Sequence, residues 1–355
     1  MTSFDAAELQ LFCRQVFERL NVDFDSASIA ADAIIRANLE GIDSHGISRL
    51  AIYAKRLQEK RINPNPHIKV VKRGAGVLLV DGDNGLGQVV AARAVEEGMV
   101  LVKETGVAAI AVKGSNHFGT ASYFCQLASS RHLIAIAFTN SPPGIPPWGG
   151  VKPFFGTNPI AFGFPTGTDR PVMVDLSTSV VARGKIILAA KQGEAIPAGW
   201  AIDERGEMTE DPQDALRGAV LPVGGPKGYA LALAIELLTG VLSGAAYGPH
   251  VNAIYDDDAS AANVGHFFIL LDIEKFMPVQ RYTQLMQTFL EEVKSVPRAA
   301  GVEEILYPGE RRAREYEARL TEGIRLSTEV DQELRQLAAD LDVAFPSEIN
   351  KGGKI

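Results

Sequence analysis

Hydrophobic positions recur every three to four residues over 6–20 and again over 26–40, with Leu, Val, Phe and Ile on one side of each segment, which predicts two amphipathic helices. A third helix is predicted from Asp43 or Ser44, either of which can cap its start, through Tyr53. After a break at Asn63-Pro64-Asn65-Pro66, the run Val77-Leu78-Leu79-Val80 reads as a strand, Asp81 to Gly85 as a turn, and 87–104 as a helix. Val107 to Val112 and Leu133 to Phe138 are further strands. Between them lie the loop Gly114-Ser115-Asn116-His117-Phe118-Gly119 and a helix to about Arg131. Strands at 160–164 and 172–174 follow, then a helix over 179–190, an apolar helix over 229–243, a last strand from Phe267 to Ile273, a helix over 279–296 and a charged helical tail. Interleaved helices and strands of this kind predict a mixed α/β chain.

Composition keeps this picture globular. Of 355 residues, 46% are hydrophobic and 22% charged, enough for a buried core and roughly two domains. A net charge of −8 without a basic run lacks the Lys/Arg footprint of nucleic-acid binding, so positive charge for an anionic ligand has to be gathered locally. Cys13 and Cys125 are too few for a disulfide framework and have no metal-type spacing, which points to a reducing cytoplasm. Met1 to Asp5 lacks the basic and apolar regions of a signal peptide. The apolar segment 229–243 falls short of the roughly 18 residues of a membrane span and contains Glu236, so it reads as a buried helix and no membrane partner is expected. Asp256-Asp257-Asp258 lacks the Gly and Glu of an EF-hand loop and reads as a solvated loop; no metal site is expected. Lys351 to Ile355 reads as a frayed end.

Candidate chemistry gathers at a few places. His45, Arg49 and Tyr53 stand four apart and would share one helix face. Arg49 can clamp a carboxylate through paired N–H bonds and His45 can carry a proton, while an ordinary exposed helix face fits the same residues. His117, flanked by glycines in a loop between rigid elements, is a second proton-transfer candidate. Gly85-Leu86-Gly87 begins like a dinucleotide fingerprint, but Val90 stands at the third small position, which favours a structural turn. Asp175-Leu176-Ser177-Thr178, at a strand end, suits ribose or phosphate oxygens, or Ser177 or Thr178 caps the helix that follows. Gly225-Pro226-Lys227-Gly228 puts a point charge and free amides at a helix start, a site for anions without the spacing of a P-loop.

Taken in order, these segments resemble the malate/L-lactate dehydrogenase type 2 family of NAD(P)-dependent oxidoreductases, which includes ureidoglycolate dehydrogenase, sulfolactate dehydrogenase and certain cyclic imino-acid reductases. The residues that carry the resemblance are Ser44-His45-Gly46 with Arg49, Asn116-His117-Phe118-Gly119, Gly156-Thr157-Asn158-Pro159, Asp175 to Thr178, Gly225 to Tyr229, Gly248-Pro249-His250-Val251-Asn252 through Tyr255-Asp256-Asp257, and Tyr307-Pro308-Gly309-Glu310. The match spans nearly the whole chain.

The resemblance implies a mixed α/β fold in which a non-Rossmann dinucleotide-binding domain with a largely antiparallel sheet is inserted in a helical and mixed substrate domain. Here the substrate domain is expected over 1–132 with 285–345, the cofactor domain over 133–284 and a flexible tail over 346–355. The family likeness also implies a homodimer. NAD or NADP would be held by Ser141, Asp175, Leu176, Ser177, Lys227, Pro308, Gly309 and Glu310; nothing in the sequence chooses between the two cofactors. A small carboxylate substrate would face Arg49, with Tyr53 and Ser44 beside it. For the proton, ureidoglycolate-type members point to His117 and the imino-acid reductases to His45, and His117 is preferred. In those reductases a Ser-His pair is completed by an acid expected where this chain has Lys191-Gln192. The expected activity is hydride transfer between nicotinamide and a 2-hydroxy or 2-oxo acid of the malate, L-lactate, sulfolactate or ureidoglycolate type. The alternatives are reduction of a cyclic imino acid of the piperideine-2-carboxylate type and a non-catalytic dinucleotide-binding protein.

Overall fold

The computed structural model describes residues 2–255 and 260–349. The first pattern folds as its periodicity requires. A short strand β1 (Thr2–Phe4) precedes α1 (Ala6–Arg19) and α2 (Phe24–Leu39), and the side chains of Asp5 and Asp23 accept from open amides of the two first turns.

The helix expected from Asp43 to Tyr53 does not form as one element. Two 3-10 turns, Asp43–His45 and Ile47–Arg49, lead into α3 (Leu50–Gln58), and Gly46 between them departs from helical backbone with ψ −148°. The cause is the buried side chain of Asn38. Its Oδ1 accepts from the Ile47 amide at 2.7 Å and its Nδ2 donates to Asp43 Oδ1 at 2.6 Å. A Cβ at position 46 would lie 2.1 Å from that Oδ1, so only glycine passes. From far along the chain, Arg319 donates to the Asn38 carbonyl at 2.7 Å and to Asp43 Oδ1 at 2.6 Å. A side-chain amide has taken the donor that a continuous helix would use.

The next elements build the central layer: β2 (Lys69–Gly74), β3 (Val77–Asp81), α4 (Gly87–Thr105), β4 (Val107–Ser115), α5 (Ala121–Ser129), β5 (Leu133–Thr139), β6 (Ile160–Phe164) and β7 (Val172–Leu176). A small lobe follows, with α6 (Arg183–Gln192), β8 (Ala201–Ile202), β9 (Met208–Thr209), α7 (Pro212–Arg217) and β10 (Ala219–Val220) around Val181, Ile186, Ile196, Ala201, Ala215 and Val220. The chain then returns through α8 (Pro226–Glu236), prolonged by a π-helical turn over Leu237–Leu242, to β11 (Val264–Asp272). It ends with α9 (Val279–Ser295), α10 (Glu310–Glu322), β12 (Ile324–Leu326) and α11 (Thr328–Leu341).

Seven strands form one sheet in the order β2-β3-β4-β11-β5-β6-β7. Only β3 and β4 are parallel neighbours; the other pairs are antiparallel. Alternate residues of β11 serve opposite faces. Phe268 and Leu270 join the core beneath α4 and α5, whereas Phe267 and Ile269 meet Ile235 and Leu238 of the α8 segment. A separate core joins α1, α2, α3, β12 and α11.

The β3-α4-β4 crossover puts Gly85-Leu86-Gly87 where a dinucleotide phosphate would approach a Rossmann unit. That space is filled by protein. A Cβ at Gly87 would stand 2.2 Å from the Asn116 carbonyl oxygen and 2.5 Å from that of His117, so the glycine serves close packing of α4 on the His117 loop, and the turn is structural.

Other expectations are corrected. Helix α6 begins at Arg183 with Ala182 as its N-cap, so neither Ser177 nor Thr178 caps it. The apolar helix is not buried all round: Ala232, Ile235 and Thr239 face inward, while Leu231, Leu237, Val241 and Leu242 are exposed. Among the described residues no helix is long and apolar enough to cross a membrane. The strand predicted as last is followed by β12, too short to show a pattern, which pairs with β1; Glu348 bridges to Phe4 and the Ile349 amide donates to the Ser3 carbonyl at 2.8 Å. Asp256-Asp257-Asp258 and the expected frayed end at 351–355 lie outside the described residues.

Replacing Asn38 by Ala leaves the buried Ile47 amide without its acceptor, and urea unfolding should show a stability loss of about 1–3 kcal/mol. An unchanged midpoint would remove Asn38 from the architecture of the 43–49 turn.

Candidate active site

The turn at Gly46 sets His45 and Arg49 on either side of a bend, and α3 adds Tyr53 one helical turn later. Ser44 Oγ lies 2.9 Å from His45 Nδ1. The Ser44 carbonyl accepts from Arg49 Nε at 2.7 Å, which pins the guanidinium while its two terminal nitrogens have no protein partner among the described residues. The Tyr255 ring faces this guanidinium at 5.6 Å.

His117 arrives from the other direction, on the loop after β4. Its Nδ1 lies 2.6 Å from the Tyr53 hydroxyl, and its ring stacks on that of His45 with centroids 5.6 Å apart and planes inclined by 27°. The expected group of His45, Arg49 and Tyr53 therefore does assemble, but through a bend instead of a single helix face, and His117 belongs to it.

Both imidazoles are held neutral. Burial, reinforced by Arg49 and Arg312 and opposed by Asp175, depresses His45 to about 4. Burial also takes His117 well below the ordinary histidine range, helped by His45, Arg49 and His266. Burial pushes the Tyr53 hydroxyl up, against the pull of Arg49, so it remains protonated. The result is an Arg with open donors beside two uncharged imidazoles.

The residues expected at the cofactor fall into two connected groups. Ser141 Oγ accepts from the Thr157 amide at 3.1 Å, and the Thr157 carbonyl accepts from the Thr178 amide at 2.8 Å. Ser177 Oγ lies 3.0 Å from Ser179 Oγ. The Thr178 carbonyl accepts from Val223, whose own carbonyl lies against the Gly228 backbone, so this set reaches the first turn of α8. There Lys227 is exposed and has no partner among the described residues.

The second group joins β7 to α10. The Pro308 carbonyl accepts from the Met173 amide at 2.9 Å, and Gly309 turns with φ +97° against Met173. Asp175 Oδ2 accepts from Ser122 Oγ at 2.7 Å and from Arg312 at 3.1 Å. Leu176, next in β7, leaves 43% of its surface exposed. The Glu310 side chain joins Lys294 at 2.5 Å and Arg314 at 2.7 Å in an ion cluster. Asp175 and Arg312 act electrostatically on His45, so this group lies within range of that ring's charge.

Sequence reasoning missed Arg312, Ser122, Gln88 and His266. Arg312 follows the Pro308-Gly309-Glu310 landmark by two residues and was legible there, had the tail not read as uniformly charged. Gln88, fully buried, lies beside the Tyr53 hydroxyl from the first turn of α4. Lys191 and Gln192, where an acid was expected to complete a Ser-His pair, lie at the end of α6, and the Asp175 carboxylate is already bound by Ser122 and Arg312. No cluster of three His, Cys, Asp or Glu residues suited to a metal occurs among the described residues.

Comparison with known proteins finds relatives along most of the chain. A malate dehydrogenase of Pyrococcus horikoshii is 36% identical over 94% of this chain and 93% of its own. A ureidoglycolate dehydrogenase (NAD(+)) of Escherichia coli O157:H7 is 32% identical over 87% and 88%. The solved sulfolactate dehydrogenase of Methanocaldococcus jannaschii superposes with a TM-score of 0.90 at 36% identity, covering 96% of this chain and 98% of that one. The family model for malate/L-lactate dehydrogenase matches residues 4–335, and the chain belongs to that family.

Proposed function

We propose that this protein is an NAD(P)-dependent dehydrogenase that interconverts a small 2-hydroxy acid and its 2-oxo acid. The observation that carries the reading is the meeting of a half-pinned Arg49 with a pair of neutral, desolvated imidazoles. A nicotinamide held there would supply the hydride chemistry, reversible transfer at the carbinol carbon. Arg49 holds the substrate carboxylate through its terminal nitrogens, since Nε is committed to Ser44. In the oxidation direction His117 Nδ1–H donates a hydrogen bond to the Tyr53 oxygen and keeps its proton, which leaves the Nε2 lone pair to take the substrate hydroxyl proton as the ring becomes imidazolium. In the reduction direction the same Nε2 proton is returned. Tyr53, both donor and acceptor, accommodates each state of the ring.

Chemistry of the side chains present fits a dinucleotide. The unpaired Lys227 at the first turn of α8 suits a phosphate, Ser141 and Ser177 supply hydroxyls, and the exposed Leu176 with Asp175 and the Pro308-Gly309-Glu310 turn form a second surface next to His45. These residues are the proposed cofactor set for NAD or NADP. We assign substrate handling to residues 1–132 with 285–345, cofactor handling to 133–284, and a tail to 346–355. A cytoplasmic homodimer is the proposed state: the buried free cysteines suit a reducing compartment, and the outward apolar row on the α8 segment suits a second copy.

A second reading, reduction of a cyclic imino acid with His45 as the proton carrier, is favoured by the Ser44–His45 contact. It is weakened because no carboxylate among the described residues is bonded to that pair. Assaying malate, L-lactate, sulfolactate, ureidoglycolate and piperideine-2-carboxylate with each nicotinamide cofactor decides between them. Dinucleotide binding without turnover on any of them would instead mark a non-catalytic binding protein.

Changing Arg49 to Ala should raise KM for the hydroxy acid by about tenfold or more while NADH or NADPH titration gives an unchanged Kd; equal weakening of both rejects the clamp. Changing His117 to Ala should lower turnover by roughly 10²–10⁴-fold with cofactor binding intact, and near-normal turnover would transfer the proton step to His45. Because both imidazoles are depressed, to about 4 for His45 and further for His117, their base forms persist as pH falls. Accordingly kcat/KM for oxidation should stay level from pH 8 to about 5, and a limb falling at about 6.5, the value of a free histidine, would contradict the buried pair.

A further inference from the structure

His266 lies in β11 at the centre of the sheet, fully buried, and takes no part in the proposed proton transfer. Its surroundings are those of a fixed joint. Nδ1 lies 2.7 Å from Thr139 Oγ1, Nε2 lies 2.7 Å from Ser115 Oγ, and the ring is flat against Phe118, with centroids 4.4 Å apart and planes inclined by 7°. The hydrogens have a consistent arrangement. Thr139 Oγ1 donates to the Gly265 carbonyl at 3.1 Å and accepts from Nδ1–H, so Nε2 is the acceptor of the Ser115 hydroxyl. Each proton is used once and the ring is neutral.

The position is also one around which the backbone bends. Pairing with β4 shifts between Val264, opposite Ser115, and His266, opposite Val112, and a Cβ at the intervening Gly265 would stand 1.7 Å from the Thr239 carbonyl oxygen. Ser115 precedes His117 by two residues, Phe118 follows it by one, and Thr139 precedes Ser141 by two. One ring thus grips the strand end and the neighbouring side chain that carry the catalytic imidazole, and the strand end that leads to a proposed cofactor hydroxyl. An apolar residue would fill the core here as well as Phe267 and Phe268 do beside it, but it would take from Thr139 Oγ1 its ring donor and from the buried Ser115 hydroxyl its 2.7 Å acceptor.

We propose that His266 is a positioning residue for His117, holding Ser115 and Phe118 so that the His117 ring stays against Tyr53 with Nε2 directed to substrate. The inference rests on the proton role proposed for His117, and a double-mutant cycle separates the two. His266→Gln and, as a gentler change, Ser115→Ala are each made in the native chain and in His117→Ala, and kcat, KM and NADH or NADPH binding are measured with the hydroxy acid that turns over. In the native chain each change should lower kcat by about tenfold or more, with KM within about threefold and cofactor affinity retained. In the His117→Ala chain neither should lower kcat further, because no ring remains to be positioned. Equal loss in both backgrounds, or no loss in the native chain, overturns the role of His266 alone. Full turnover in His117→Ala overturns both readings. Should His266→Gln fail to fold, the Ser115→Ala cycle gives the same decision.

Discussion

Taking imidazoles out of water is the constraint to which this site answers. A histidine left in solvent is half charged near pH 6.5 and drifts among rotamers, whereas His45 and His117 are half-buried, stacked, and each held at Nδ1 by a hydroxyl. Charge on either would be opposed by the other, by burial and by Arg49. The same desolvation would strengthen the pull of the guanidinium on the carboxylate proposed to bind there. A proposed base held neutral and a proposed cationic clamp are thus compatible neighbours.

What holds the pieces in register is close approach of backbone. Gly46 fits beneath the Asn38 amide, Gly87 lets α4 meet the carbonyls of Asn116 and His117, and a Cβ at Gly156 would stand 2.3 Å from both the Ser141 carbonyl and its hydroxyl. Each contact excludes a side chain at a point where two loops of the site cross. The glycines of the β3-α4 turn, which would face a phosphate in a Rossmann unit, face protein instead, and Lys227, exposed and without a partner among the described residues, stands at the start of α8.

Much of this was legible in the sequence, for reasons that differ by element. α1, α2, α4, β4 and β5 follow their hydrophobic periods because each buries one face or one stripe against a core. The landmark loops, with His117, Asp175, Lys227 and Pro308, could be placed because polar residues among Gly and Pro stand out from apolar runs. The bend at Gly46 could not be read, since it depends on an Asn38 side chain that looks like one more helical polar residue. His266 was hidden for the opposite reason. It sits at the edge of the apolar run that begins at Phe267, and its partners lie about 130 and 150 residues away. Arg312 needed β7 and α10 in contact before its charge acquired a place.

Arg319 ties the 38–43 segment to α10 across 276 residues of chain, and Arg312 does the same for Asp175 across 137. A ribosome adds roughly 5–20 residues per second, so the turn bearing His45 waits about 14–55 s for its last clasp during synthesis. The corner of the proposed site made earliest is therefore among the last to be locked, and a chain interrupted before α10 emerges carries its histidines without the brace that holds them.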